Sequence, residues 1–174
     1  MMDFLRIACA VPRVSLGDPK ANAREMAGQM AQAQGQNADL LVFPGLSLTG
    51  YSCQDLFFQD ALYEAALEGL GMLLEASKNA PALTAVAGLP LRLGSRMFNC
   101  AAVVSGGALR GIVPKTYIPN YSEFYEKRWF SSGAELDRDA VTLEIPGREP
   151  VTVGIYPQGL FTFGEGTVFG VEIC

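Results

Sequence analysis

Apolar and polar positions alternate in blocks along the chain, and the period of each block predicts an element. LRIACAV (5–11) is a short apolar run that predicts a strand. Asp18-Pro19 then offers an N-cap followed by proline at the first helical position. Ala23, Met26, Ala27, Met30 and Ala33 recur at helical spacing, so the pattern predicts a helix over 19–35. DLLVFP (39–44) predicts a buried strand closed by proline, and GLSLTGYSCQ after it a loop. Leu62, Ala65, Ala66, Leu70, Leu73 and Leu74 share one face of a second helix over 60–78, which Pro81 bars from continuing. LTAVAGLP (83–90) predicts another strand. FNCAAVV (98–104) and ALRGIV (108–113), joined by Ser105-Gly106-Gly107, predict a hairpin. After the aromatic segment 115–133, short strands are expected near 140–145, 151–156 and 159–163, and a last one over 167–173 that delivers Cys174 to its end.

Strand, helix, strand, helix, strand and then paired strands is an α/β pattern. In open α/β sheets, ligands gather beyond the carboxyl ends of strands. Three such ends carry notable residues: Pro44-Gly45, Pro114-Lys115 and Cys174.

Composition narrows the chemistry. The 174 residues suit one domain, and the net charge of −5 with no Lys/Arg stripe argues against nucleic acid and anionic membranes as partners. No apolar run reaches the ~18 residues of a membrane helix, and Asp3 and Arg6 spoil the N-terminal apolar stretch as an export signal. The four cysteines, at 9, 53, 100 and 174, form no CxxC pair, so reduced thiols and a cytoplasmic setting are expected. There is no histidine. Ser-His and Cys-His catalytic pairs within the chain are thereby excluded, and a thiol nucleophile would need a carboxylate, a lysine or a helix end to activate it. No phosphate-binding glycine loop of the GxxxxGK[ST] or GxGxxG kind is present.

Each candidate has a plain alternative. A lone cysteine is usually a small buried hydrophobe, and a lysine after a strand is usually solvated. The rings of Tyr117, Tyr121, Phe124, Tyr125, Trp129 and Phe130 can pack on one another as a lid over the core.

Taken together, LVFPGLSLTGYSCQDLF (41–57), VPKTYIPNYSEFYEKRWF (113–130) and FGVEIC (169–174) resemble the nitrilase superfamily of carbon–nitrogen hydrolases. More narrowly, they resemble the glutaminase domain of the glutamine-dependent NAD synthetases. The resemblance implies an α-β-β-α sandwich, here incomplete. Residues 1–174 would be the N-terminal part of that domain, with the synthetase domain absent. It implies Cys174 as the nucleophile on the glutamine amide, Lys115 as the oxyanion cation and Tyr121 as a glutamine contact. It further implies ammonia transfer to the synthetase domain, where ATP and magnesium serve, no cofactor in this chain, and homo-oligomers. The family's general-base glutamate falls on Gly45, which has no side chain, so impaired hydrolysis is expected. The alternatives are a catalytically dead glutamine-binding or oligomerisation module, and a free-standing amidase of the same superfamily.

Overall fold

The computed structural model describes residues 4–163 and 166–174. Its centre is a five-stranded sheet in the order β1 (Ile7–Cys9), β2 (Leu40–Val42), β3 (Thr84–Leu93), β4 (Arg96–Ser105), β5 (Ala108–Pro114). β1, β2 and β3 run parallel, and β3–β4–β5 form an antiparallel meander. The expected hairpin is present, with a register shift at Val103/Val104, and a second hairpin joins β3 to β4.

Two helices, α1 (Pro19–Gly35) and α2 (Asp60–Lys78), cover one face. The α1 start follows from local chemistry, since the Asp18 carboxylate accepts the Ala21 N–H at 3.0 Å and Pro19 needs no donor there. α2 carries Asp60 in its first turn and Lys78 in its last, as the helix dipole favours. Met26, Met30, Leu70, Leu73 and Leu74 pack on Leu41, Ala85, Ala87, Leu89, Ala102 and Val104. A hairpin of β6 (Ala140–Leu143) and β7 (Val151–Gly154) adds Val141, Leu143 and Val153 to this core.

The strand period of two puts the intervening residues on the other face. Leu40, Val86, Ala101, Val103 and Val113 form a smaller cluster there, covered by Phe161, Phe169, Val171 and Ile173 of β8 (Leu160–Phe163), β9 (Thr167–Gly170) and the segment after β9. That cover leaves Ile7 of the edge strand β1 56% exposed.

Three expectations are corrected. Residues 51–54, expected as the end of a loop, begin 3₁₀ turns that run over Tyr51–Phe58 with a kink at Gln54. β1 spans only 7–9 of the expected 5–11, because its pairing with β2 stops there. The last strand ends at Gly170, so Cys174 does not sit on a strand end. The reason is pairing: Leu160↔Gly170 is the final pair of the hairpin, and residues 171–174 have no strand beside them.

Gly88 fixes the path after β2. A Cβ there would lie 2.1 Å from the Leu46 nitrogen, so only glycine lets the Pro44–Leu46 backbone cross β3 so closely. Gly88 N–H donates to Ser47 Oγ and its carbonyl accepts from Leu48 N–H, both at 3.0 Å.

Candidate active site

Beyond the end of β5 the chain enters a cleft of ≈ 1050 Å³, whose lining includes Lys115, Tyr121 and Cys174. Lys115 is buried and anchored through its backbone, its N–H donating to the Asn99 carbonyl at 2.7 Å and its carbonyl accepting from Gly133 N–H at 2.8 Å. Its ammonium has three donors, and three acceptors lie around it. Both carboxylate oxygens of Glu126 are 3.2 Å away, and the Cys174 backbone carbonyl is also at 3.2 Å.

Glu126 is the residue that sequence reasoning misses. It lies among aromatic and charged neighbours that read as solvated surface, yet its side chain is 3% exposed. A carboxylate so buried needs a counter-charge, and Lys115 supplies it. Tyr51, on the 3₁₀ turns after β2, donates its hydroxyl to Glu126 Oε1 at 2.9 Å. Burial, then the bond to the carboxylate, push the Tyr51 phenol up to about 12.

A clasp holds these two segments together. Asp55 accepts from Arg128 Nε and Nη2 at 2.7 Å each and from Trp129 Nε1 at 2.9 Å. These donors bring its carboxyl down to about 2. Under the clasp, Phe57 meets Phe130 edge-on with centroids 4.9 Å apart, and lies 5.9 Å from Trp129. The aromatic segment thus does pack its own rings, as expected of a lid, while Tyr121 stays 67% exposed at the cleft with Phe124 5.8 Å away.

Cys174 is exposed, and so is Cys9; Cys53 and Cys100 are buried, and burial pushes both thiols up. Gly45 is exposed and is not among the residues lining the cleft. It is nonetheless close: a Cβ on Gly45 would meet Ile173 Cγ2 at 3.7 Å, an ordinary contact. A side chain at 45 would therefore start beside the residue that precedes Cys174. The structure brings Lys115, Tyr121 and Cys174 to one cleft, puts Gly45 at its margin, and adds Glu126 and Tyr51.

No helix among the described residues is long and apolar enough to cross a membrane.

Comparison with known proteins follows the same lines. The glutamine-dependent NAD(+) synthetase of Mycobacterium tuberculosis is 37% identical over 174 residues, which cover 98% of this chain and 24% of that protein. The enzyme of the same name from Thermotoga maritima is 32% identical over 168 residues, covering 95% of this chain and 29% of its own length. The chain thus spans 24–29% of the length of these curated relatives. Among solved structures, a glutamine-dependent NAD(+) synthetase from Cytophaga hutchinsonii superimposes with a TM-score of 0.81 at 27% identity, covering 98% of this chain and 28% of that one. An amidase from Nesterenkonia shares the fold, with a TM-score of 0.61 at 22% identity over 85% of this chain and 54% of the amidase. The carbon–nitrogen hydrolase family model matches residues 6–174, and the chain belongs to that family.

Proposed function

We propose that this chain is the amide-hydrolysing part of a glutamine-dependent NAD synthetase, with its hydrolytic step impaired by Gly45. The observation that carries the reading is the cleft itself. Lys115 and Cys174 lie 59 residues apart in the chain, and the lysine ammonium bonds the cysteine's own carbonyl.

In the proposed reaction the Cys174 sulfur, as thiolate, attacks the side-chain amide carbon of glutamine. The tetrahedral oxyanion that forms is stabilised by the Lys115 ammonium, which exchanges the Cys174 carbonyl for it. Glu126 fixes Lys115 in place through the ion pair, so it is a positioning residue. The C–N bond then breaks, ammonia departs with an added proton, and water releases glutamate from the thioester. Both proton transfers need a group at the thiol. Glu126 is committed to Lys115 and Tyr51, and residue 45 has no side chain. A missing general base costs typically ~10²–10⁴-fold in rate. Ammonia would serve a synthetase domain using ATP and magnesium, supplied outside these residues.

A second reading, a module that binds glutamine without hydrolysing it, is favoured by Gly45 alone. The aromatic segment, with its buried Glu126, supports the synthetase branch over a free-standing amidase.

The test is calorimetric titration of the chain with glutamine beside an assay of ammonia release. The expected result is saturable binding, weakened by Tyr121→Ala, with ammonia release near background. Absence of binding overturns the assignment of this cleft to glutamine.

A further inference from the structure

A second cleft, of ≈ 320 Å³, lies next to the first and shares Lys127, Phe130 and Ser131 with it. Four cations line it, Arg92, Arg96, Lys127 and Arg128, against one carboxylate, Asp60. Arg92, Arg96 and Arg128 are each ion-paired, with Asp60, Asp137 and Asp55, so the net positive charge at the cleft is that of Lys127.

The cations are held in place before any ligand arrives. Arg92 bonds Asp60 Oδ1 at 2.6 Å and lies 5.0 Å over the Tyr63 ring. Arg96 donates to the Glu135 carbonyl at 2.7 Å, pairs with Asp137 Oδ2 at 3.4 Å and lies 5.6 Å over the Phe98 ring. Arg128 is forked onto Asp55. These contacts leave guanidinium N–H donors unspent on each arginine. Lys127 is exposed, and no carboxylate pairs with it among the described residues. Asp60, the first residue of the nineteen-residue α2, also lines this cleft. A helix N-terminus adds partial positive charge there.

We propose that this second cleft is an anion site that takes a phosphate group. The N–H donors left over on ordered guanidinium groups suit the several oxygens of a phosphate, and cations already ordered lose little entropy on binding. Lys127 supplies the unspent charge. The site does not depend on the amide-hydrolysis reading, because it is measured by binding alone.

The experiment is calorimetry on the full chain with inorganic phosphate, pyrophosphate and adenosine diphosphate, with acetate as the carboxylate control. Saturable binding of phosphate or pyrophosphate, tighter than acetate, is expected. Lys127→Ala and Arg92→Ala should each weaken it by about tenfold, the effect of one charge-assisted hydrogen bond. Melting curves of both variants establish that they remain folded; Lys127, being exposed, serves if Arg92→Ala does not. Tighter binding of the nucleotide than of pyrophosphate would identify a nucleotide as the source of the phosphate, and equal binding free phosphates; either upholds the site. No saturable binding of any phosphate, acetate binding as well as phosphate, or affinities unchanged in Lys127→Ala would overturn it.

Discussion

Lys115 and Cys174 line one cleft with very different support. Lys115 is buried, tied through its backbone to β4 and to Gly133, and neutralised by Glu126, which Tyr51 holds in turn. Cys174 is exposed and lies beyond the last paired residue of β9; the bond its carbonyl accepts from Lys115 ties it to the site. The Lys115 half of the cleft is thus part of the folding core, whereas the Cys174 half rests on the fold without bearing weight in it. Stability measurements should separate the two halves, and activity measurements should not.

The largest effect is expected at Glu126. Glu126→Gln keeps the shape but leaves Lys115 buried without a counter-charge, which costs about 3–5 kcal/mol of stability in denaturant unfolding. Adding Lys115→Met to it should recover most of that loss, because neither charge is then buried; a double variant as unstable as the single one would show that packing, not charge, dominates here.

Next is Gly88→Ala. The new methyl would collide with the Leu46 backbone, and about 3 kcal/mol should be lost in the same measurement, at the upper end of overpacking costs. A neutral outcome would mean that the Pro44–Leu46 crossing is looser than described.

Tyr51→Phe removes one hydrogen bond to a charged acceptor and should cost about 1.5 kcal/mol. The pH dependence has a definite sign. The fold favours the neutral phenol, raised from 10.0 to about 12, so this contribution is intact below pH 10 and disappears as pH rises from 10 towards 12. Tyr51→Phe should therefore flatten the alkaline end of the stability profile.

The smallest effect is expected at Cys174→Ala, within about 0.5 kcal/mol, as for exposed substitutions in general. Thiol labelling should show the matching contrast: Cys9 and Cys174 react in the native state, while Cys53 and Cys100 wait for unfolding.

The parts of the fold that were legible in the sequence are those decided locally. α1 and α2 appear where the 3.6-residue period, Asp18-Pro19 and Pro81 place them, and β3 and β4 cover the apolar runs at 83–90 and 98–104. The misses are places where distant partners decide. The 3₁₀ turns over 51–58 are held by Asp55 reaching Arg128 and Trp129, 73 and 74 residues on, which no local pattern encodes. β9 stops at Gly170 because β8 supplies no further partner. Of the candidate residues, Lys115, Tyr121 and Cys174 share a cleft and Gly45 borders it. Glu126 was hidden because a carboxylate among charged neighbours reads as surface, and only its ion pair with Lys115 makes it a core residue.

The central claim is that the site is built around Lys115 and Cys174 and lacks one carboxylate, at Gly45. The most direct test grafts residues 1–174 onto the Mycobacterium tuberculosis synthetase in place of the segment they match, and measures ammonia release from glutamine with and without Gly45→Glu. The new Cβ would meet Ile173 Cγ2 at 3.7 Å, an ordinary contact. The account predicts release near background for the parent graft, a gain of about 10²-fold or more with Gly45→Glu, and loss of that gain when Cys174→Ala is added. A parent graft that already hydrolyses glutamine as fast as the intact relative, or a Gly45→Glu graft with no gain, would contradict it.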